Sequence, residues 1–345
     1  MNKKKFLILG VLILTCLGII GFIFDKQLAP LVSPAKLYPG KITIAVTQWP
    51  GYSALYVAQD QGYFKDAGLD VDVKIYPSLL AQRDAYVSGE AQGSGNITLD
   101  TVDEAYAGLD HKAVLEMDYS NGADGIIASP AIHGFPNIKG KRVAFEEGTL
   151  EEFFLQYALE ANHIDIKDIV PVNLNAEQSA QALVDGKVDV AVTYEPFMAV
   201  ALAKSGGKKI FSSIESPGLI ADVLTFRADF IKTYPDSVLA FIGAYFKGTQ
   251  FLNEHPQEAD AIVAKYLGVS VDEVIPQIQG VSILSAEDNR TAFTFALGSQ
   301  SIYGNLRSIN EFLQAHQSDI ATTTAITSLD TDNLIDPSFI RTITR

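Results

Sequence analysis

Short apolar runs alternate with segments of helical periodicity along most of the chain. Residues 41–46 form an apolar run typical of a strand, and residues 53–68 place apolar side chains at spacings that fit one helical face. Residues 71–76 alternate between apolar and polar side chains, as a second strand does. The order continues with a helix at 79–88, a strand at 92–97, a helix at 99–107 and a strand at 113–117. This alternation of strands and helices predicts a largely parallel sheet.

The same pattern begins again at Gly125. Further strands are predicted at 125–128, 141–145, 169–172 and 188–192, with helices at 150–161 and 176–184. Residues 222–226 form the strand that returns the chain to the first unit, and the chain is mainly helical after Asp229. We therefore predict an α/β protein in which a second unit is inserted into the first. The two crossings, near Asp124 and Ala221, would form a hinge, and the cleft between the units would hold a ligand.

The pattern divides the chain into six segments. They are a signal peptide or membrane anchor at 1–24, a tether at 25–40, the first part of lobe 1 at 41–123, lobe 2 at 124–221, a second and helical part of lobe 1 at 222–316, and a C-terminal tail with little periodicity at 317–345.

The N-terminus predicts export. Residues 1–5 are basic, and residues 6–24 contain no charge, which is close to the roughly 20 residues that cross a bilayer. The lysines before this run place the N-terminus in the cytoplasm and the body outside. The run is either a cleaved signal peptide or a retained anchor. Lipidation at Cys16 is a third possibility, which Thr15 disfavours because it is larger than the usual residue before a lipidated cysteine.

Composition and charge exclude several functions. The 345 residues are 48% apolar and carry a formal net charge of -15. Such acidity argues against nucleic acid and against an anionic membrane surface as partners of the folded part. Cys16, the single cysteine, leaves the body without a disulfide, a thiolate metal site or a cysteine nucleophile. The five histidines show no metal-ligand spacing and no GxSxG motif occurs, so we expect no catalytic residue, no metal and no cofactor.

Several short stretches, in order, resemble one family, the periplasmic substrate-binding proteins of ABC importers for nitrate, sulfonates, taurine and thiamine-pyrimidine precursors. They are Trp49-Pro50-Gly51-Tyr52, Gly62-Tyr63-Phe64, Ser88-Gly89-Glu90, the run DGKVDVAV at 185–192, and Tyr194-Glu195-Pro196-Phe197. The resemblance covers roughly residues 41–315. It implies a monomeric, exported protein with the two-lobed type II periplasmic-binding-protein fold, which closes over a small molecule and delivers it to a permease in the cytoplasmic membrane. The pyrimidine synthase of the same fold family would need a cysteine-rich iron-binding motif, which this body lacks.

Candidate ligand-binding residues follow predicted strands. Tyr194 and Glu195 leave the strand 188–192 at its carboxyl end, where ligands bind in open α/β sheets. Trp49 follows the first strand and either covers the edge of the core or forms a flat wall against the ligand. Asn96 follows glycines that favour either a ligand contact or close packing. Asp118 is a better candidate than Asp124 because it ends a strand, although one of the two could simply cap a turn.

A third group lies before the helix at 150–161. Glu146, Glu147 and Thr149 occupy the place where an anionic ligand would seek backbone amides, although acids at a helix N-terminus are also favourable without any ligand. The same structural role is open to Glu195, just before Pro196.

The sum of these charges predicts the ligand class. Asp118, Asp124, Glu146, Glu147 and Glu195 are acidic, and Arg83 is the one basic candidate nearby. A nitrate or sulfonate would face like charge in such a site. We therefore expect a small cationic nitrogen compound, such as guanidinium, an amine or an amino-pyrimidine, with nitrate, sulfonate or taurine as the alternative.

Overall fold

The computed structural model describes residues 35–316 and 329–343. The predictions for the N-terminal apolar run, the first part of the tether and residues 317–328 lie outside the described residues. The described residues from Leu37 onward belong to one compact unit. Among the described residues, no helix has both the length and the apolar character needed to cross a bilayer.

Lobe 1 is built on a six-stranded sheet. Its strands are β1 (Lys41–Val46), β2 (Asp70–Ile75), β3 (Gly93–Ile97), β4 (His111–Ser120), β10 (Ala221–Arg227) and β11 (Val281–Ile283), in the spatial order β11-β4-β10-β3-β1-β2. Strands β1, β2 and β3 are parallel, whereas β10 runs antiparallel to both β3 and β4. Helices cover both faces, which explains why the central strands β3 and β10 are buried along almost their whole length.

Lobe 2 is built on a five-stranded sheet. Its strands are β5 (Asp124–Ala128), β6 (Arg142–Phe145), β7 (Val170–Asn173), β8 (Val190–Tyr194) and β9 (Lys208–Ser212), in the spatial order β7-β6-β8-β5-β9. The chain enters this sheet directly after β4 and leaves it between β9 and β10. The insertion of one α/β unit into another is thus present, with two crossing segments between the sheets.

Fourteen helices accompany the described strands. They are α1 (Ser53–Asp60), α2 (Tyr63–Asp66), α3 (Leu79–Val87), α4 (Thr98–Tyr106), α5 (Leu150–Ala161), α6 (Ala176–Val184), α7 (Phe197–Ser205), α8 (Ala228–Thr233), α9 (Pro235–Glu254), α10 (Pro256–Leu267), α11 (Val271–Ile278), α12 (Ala286–Ala292), α13 (Ile302–Ala315) and α14 (Ser338–Ile343).

The core of lobe 1 depends on close packing of α9 against α1. A Cβ atom at Gly248 would lie 2.2 Å from the carbonyl oxygen of Ala54, so glycine is required where the two helices meet. The surrounding side chains Phe241 and Tyr245 are fully buried. This contact holds α1, and with it the turn that precedes α1, against the lobe.

Several predicted boundaries are wrong. The helix predicted at 53–68 is broken at Gly62, which has a φ of 75°. The strand predicted at 188–192 is Val190–Tyr194, because the amide of Lys187 still bonds to the helix carbonyl of Ala182. Tyr194 therefore lies in the strand and pairs with Asp124 on β5.

Three features near sheet edges and the C-terminus were missed. Strands β9 and β11 are edge strands with little apolar alternation, so the sequence pattern does not reveal them. The C-terminal tail has little periodicity, yet residues 331–343 pack on lobe 1, where Ile335 bridges to Ala113 on β4 and Ile340 is buried.

Candidate functional site

A small cavity of about 20 Å³ lies between the two sheets. Both lobes line it, and the lining residues include two acids and no Lys, Arg or His. The lining residues are Thr47, Trp49, Tyr52, Leu79, Ile97, Asp124, Leu150, Tyr194, Ile220 and Asp222. A cavity of this size accommodates a group about as large as a water molecule.

The fold explains why these residues converge. Thr47 and Trp49 follow β1, while Ile97 and Tyr194 end β3 and β8. The carboxyl ends of these strands therefore meet at the cavity, as expected for ligand sites in α/β sheets. Tyr194 is 5% exposed and hydrogen-bonds with Thr47 of the opposite lobe.

Trp49 connects the cavity to Asp118. Its indole Nε1 donates a hydrogen bond of 2.9 Å to Asp118 Oδ1. Its ring contacts the ring of Tyr194 edge to face, with centroids 6.0 Å apart. Gly51 lies against the same carboxyl group, since a Cβ there would come within 2.2 Å of Asp118 Cγ. The Asp118 carboxyl is thus enclosed beneath the turn between β1 and α1.

Tyr52 holds a second carboxyl group in the cavity wall. Its hydroxyl donates to Asp222 Oδ1 at 2.6 Å and also bonds to the carbonyl oxygen of Gly95 at 2.7 Å. Asp222 is 3% exposed and is paired with Asp118 in the register of β10 and β4. The pKa of Asp222 is raised well above its usual range by burial and by the Asp118 charge.

Lobe 2 contributes further buried acids. Burial raises the pKa of Asp124 to about 7 and that of Glu151 to about 8, and burial also raises the pKa of Glu146. Lys209 opposes the shift at Asp124, but its Nζ donates to the Gly122 carbonyl oxygen at 2.6 Å and does not line the cavity.

Four of these carboxyl groups have an oxygen without a hydrogen-bond partner among the described residues. These atoms are Asp118 Oδ2, Asp124 Oδ2, Glu146 Oε2 and Glu151 Oε1. Burial raises the pKa of Asp118 to about 8, as expected for a carboxyl group that is poorly solvated. A group of unpaired buried acceptors favours a ligand that donates several hydrogen bonds and carries positive charge.

Carboxylates of the protein itself lie at the two helix N-termini that face the cavity. Leu79 and Leu150, the first residues of α3 and α5, line the cavity. The Glu146 carboxylate accepts hydrogen bonds from the Ser78 hydroxyl and the Leu79 amide across the lobe boundary. An anion would otherwise bind at such a helix N-terminus.

At α5 the acids belong to the first turn. Glu152 Oε2 accepts from the Gly148 amide at 2.7 Å, and Glu151 accepts from the Thr149 hydroxyl. Both N-termini thus already face carboxylates of the chain.

The structure brings three of the predicted site residues together. Trp49 and Tyr194 line the cavity from opposite lobes, and Asp118 lies behind Trp49. Asp124, the weaker of the two predicted aspartates at the crossing, is itself a lining residue.

Four other predicted site residues do not line the cavity. Asn96 donates to Glu104 at 2.6 Å on the opposite face of β3, and Glu147 pairs with Asn173. Thr149 caps α5 through the Glu151 amide.

Glu195 also has a local partner. Its carboxylate accepts a 3.0 Å hydrogen bond from the Ala199 amide in the first turn of α7. The structure thus gives Glu195 the helix-terminal role that the sequence left open. Its ligand role remains a prediction.

Arg83 is already neutralised. Its guanidinium pairs with Asp100 and, at 3.0 Å, with Asp103, and its side chain is 17% exposed. It therefore offers no free cation to an anionic ligand in the cavity.

Sequence reasoning missed Asp222, Tyr52 and Glu151 as site residues. Asp222 begins the strand that returns to lobe 1, so its position at a crossing was an available signal. Tyr52 belongs to the Trp-Pro-Gly-Tyr stretch, but nothing in the sequence pairs it with Asp222, 170 positions away.

Comparisons with known proteins identify the family of the chain. The family model described as NMT1/THI5 like matches residues 49–259. The chain belongs to the NMT1/THI5-like family. A Bacillus subtilis (strain 168) protein named for the binding of aliphatic sulfonates is 26% identical over 226 residues, which are 64% of this chain and 67% of that protein.

Solved structures of binding proteins share the fold. The alkanesulfonate-binding protein SsuA from Xanthomonas axonopodis pv. citri, bound to MOPS, matches with a TM-score of 0.70 at 15% identity, covering 84% of this chain and 98% of that chain. The periplasmic nitrate-binding protein NrtA from Synechocystis PCC 6803 matches with a TM-score of 0.62 at 15% identity, covering 88% and 85%. The predicted two-lobed periplasmic-binding-protein fold is thereby confirmed for this member of the NMT1/THI5-like family.

Proposed function

We propose that this chain is the extracytoplasmic substrate-binding component of an ABC importer and that its cleft captures a small cationic nitrogen compound. The positive charge of the ligand is inferred from a cavity that is lined by Asp124 and Asp222 and by no basic side chain. Asp124 has an unpaired oxygen, as do three buried acids outside the lining, Asp118, Glu146 and Glu151. The family membership and the two-lobed fold support the binding role. The bound ligand is then handed to a permease in the cytoplasmic membrane.

A planar or tetrahedral cation suits this arrangement. Asp124 and Asp222 line the cavity and can accept hydrogen bonds from one ligand, while the Trp49 ring supplies an aromatic wall. Charge-assisted hydrogen bonds from N–H groups to carboxylates are stronger than neutral ones, and a cation on an aromatic face adds to them. The cavity in this structure admits only a group about as large as a water molecule, so the lobes must separate slightly to admit guanidinium or methylammonium, and further to admit an amino-pyrimidine.

The binding would couple to lobe closure. Trp49 and Thr47 of lobe 1 contact Tyr194 of lobe 2, and Glu146 of lobe 2 reaches the N-terminus of α3 in lobe 1. A ligand that contacts both Asp222 and Asp124 stabilises this closed arrangement, because these acids belong to different lobes.

Nitrate or a sulfonate is the second candidate, supported by the names of the relatives. Such an anion would need free backbone amides or a basic side chain. In this chain, however, acids face the N-termini of α3 and α5, and Arg83 is paired with two aspartates. Buried like charges without a counter-ion strongly disfavour anion binding.

Calorimetric titration tests the ligand charge. Guanidinium chloride and methylammonium chloride, at concentrations far below those that denature proteins, should give saturable heats, and sodium nitrate and sodium ethanesulfonate should not. Saturable binding of the anions alone would overturn the proposed ligand class but leave the importer role standing. Recovery of the ligand chemically unchanged after prolonged incubation would support binding without turnover.

The importer role needs a separate test. Purified protein added to vesicles that contain the cognate permease and its ATPase should stimulate ATP hydrolysis when the ligand is present. A protein that binds its ligand but never stimulates any such transporter would contradict this part of the proposal.

A further inference from the structure

We propose that lobe 1 and the crossing segment before β10 form a second ligand site, in a pocket outside the cleft, that binds an organic ammonium ion with an apolar body. This pocket has a volume of about 450 Å³, within the usual range of small-molecule sites. We call it the β11 pocket. Its lining residues are Glu116, Tyr119, Pro217, Gly218, Ser282, Ile283, Leu284, Asp288, Thr291, Ala292, Ser299 and Gln300.

Glu116 is the residue that points to a ligand. It lines the pocket, is only 5% exposed, and its Oε2 has no hydrogen-bond partner among the described residues. A buried carboxyl oxygen without a partner costs free energy, and a ligand N–H group would supply what is missing.

The backbone holds Glu116 in this position. Strand β11 ends at Ile283. Beyond that point, the side chain of Asn289 on α12 forms the hydrogen bonds to the β4 backbone that a neighbouring strand would otherwise form. Asn289 Oδ1 accepts from the Glu116 amide at 2.9 Å, and its Nδ2 donates to the Glu116 carbonyl oxygen at 2.8 Å. Glu116 is thus fixed in the pocket wall by a buried side chain on α12.

The opposite wall is also fixed. Gly218, with a φ of 73°, accepts a 2.6 Å hydrogen bond at its carbonyl oxygen from Asn305 Nδ2, and a Cβ on Gly218 would meet the Ser299 hydroxyl at 3.0 Å. The Ser299 hydroxyl donates to the Pro217 carbonyl oxygen at 3.4 Å. These bonds hold the segment between β9 and β10 against the loop before α13.

The lining selects the ligand class. Two acids, Glu116 and Asp288, line the pocket and no basic side chain does. Asp288 Oδ2 accepts two hydrogen bonds from Ser285 at the start of α12. Glu116, whose Oε2 has no partner among the described residues, is therefore the acceptor with the greater need of a cation. The apolar side chains of Ile283, Leu284 and Ala292 offer a surface for a hydrocarbon body.

The probe is phenethylamine, with 2-phenylethanol as its neutral counterpart of similar shape. Calorimetry on the full chain should show saturable binding of phenethylamine and at least about tenfold weaker binding of 2-phenylethanol, since a charge-assisted hydrogen bond is lost. Glu116→Gln should likewise weaken the binding of phenethylamine at least about tenfold. Thr291→Trp, at an exposed position of α12 that lines the pocket, should fill it and abolish binding without unfolding the protein.

A cleft variant separates this site from the proposed function. Asp222→Asn should remove guanidinium binding and leave phenethylamine binding unchanged. The proposal is overturned if phenethylamine does not bind, if it binds equally well to Glu116→Gln and Thr291→Trp, or if Asp222→Asn alone removes it. Failure of guanidinium to bind to the unaltered protein would count against the cleft ligand and not against the β11 pocket.

Discussion

Asp118 and Asp222 are cross-strand partners on β4 and β10, and each carboxyl group is held by an aromatic side chain of the turn between β1 and α1. Trp49 donates to Asp118 at 2.9 Å, and Tyr52 donates to Asp222 at 2.6 Å. Burial and, after it, the Asp118 charge raise the pKa of Asp222. One short turn thus holds two carboxyl groups close together at the cleft, where a cation would stabilise their ionised forms.

Replacing Asp222 by Asn should weaken ligand binding without lowering the stability of the protein. The change removes a charge acceptor from the cavity wall and keeps a side-chain oxygen for the Tyr52 hydroxyl. We expect guanidinium affinity to fall at least about tenfold and the free energy of unfolding to stay the same or rise, because a buried acid without a cation is costly. Calorimetry and urea unfolding measure the two effects.

The matched control is Asp110→Asn. The Asp110 side chain is 80% exposed and its nearest cation, on Lys112, is 3.7 Å away. This variant should bind guanidinium like the unaltered protein. Equal affinity of both variants and the unaltered protein would remove Asp222 from the binding site.

The stability of the ligand-free protein should fall as pH rises. The pKa values of Asp118, Asp124 and Glu151 are about 8, 7 and 8 in the folded state, against about 4 in an unfolded chain. Between about pH 4 and 8 the folded state therefore binds more protons, so the free energy of unfolding decreases with pH, by about 1.4 kcal/mol per pH unit for each extra proton. Urea unfolding at pH 5, 6, 7 and 8 checks the sign. A rising free energy of unfolding across this range would contradict the protonated carboxyls.

Cation binding should show the opposite dependence on pH. A bound guanidinium favours the ionised acids, so protons leave when it binds, and the dissociation constant should fall as pH rises through about 6 to 8 and then level off. Titration at pH 7 in phosphate and in Tris buffers measures the released protons, since the two buffers differ in ionisation enthalpy. Identical heats in both buffers would mean that no carboxyl titrates on binding.

Gly51→Ala should displace the Asp118 carboxyl group, although Gly51 does not line the cavity. The new Cβ would lie 2.2 Å from Asp118 Cγ, so the carboxyl must move and its bond to Trp49 is lost. Overpacking of this kind costs about 1–3 kcal/mol of stability. Trp49 is the sole tryptophan, so its fluorescence reports the change directly.

Gly243→Ala is the control for that substitution. Gly243 lies inside α9, where a Cβ atom would have no neighbouring atom within 4 Å, and alanine there should stabilise the protein by about 1 kcal/mol. A Gly51→Ala variant as stable as the unaltered protein, with unchanged fluorescence, would show that the turn relaxes without moving Asp118.

The sequence predicts the strands and helices of the lobes well because buried apolar residues recur at regular spacings along them. The strand at 41–46 and the helix at 150–161 are found at the predicted residues, since each places its apolar side chains at regular spacings. Edge strands such as β9 carry polar side chains outward and leave no such pattern.

The site was predicted less completely, for a physical reason. Sequence order shows which residues follow a strand but not which face of the strand they occupy. Ile97 lines the cavity, while its neighbour Asn96 points to Glu104 on the other side of β3. Contacts between elements far apart in sequence, such as that of Tyr52 in the turn after β1 with Asp222 on β10, depend on the tertiary fold and cannot be predicted from local sequence.

The role of Glu195 differs between the sequence prediction and the structure, and a substitution can decide between the two. The sequence hypothesis makes it a ligand acid, whereas in the structure its carboxylate accepts from the Ala199 amide at 3.0 Å and it is absent from the lining of the cavity. Glutamine keeps an oxygen for that amide, so Glu195→Gln should change the free energy of unfolding by less than about 1 kcal/mol. Guanidinium affinity should stay within about twofold, because the acids that face the cavity are unchanged. Calorimetry beside the Asp222→Asn variant decides the matter: a loss of tenfold or more at Glu195 would place its charge in the binding site, while an unchanged affinity would assign it to the start of α7.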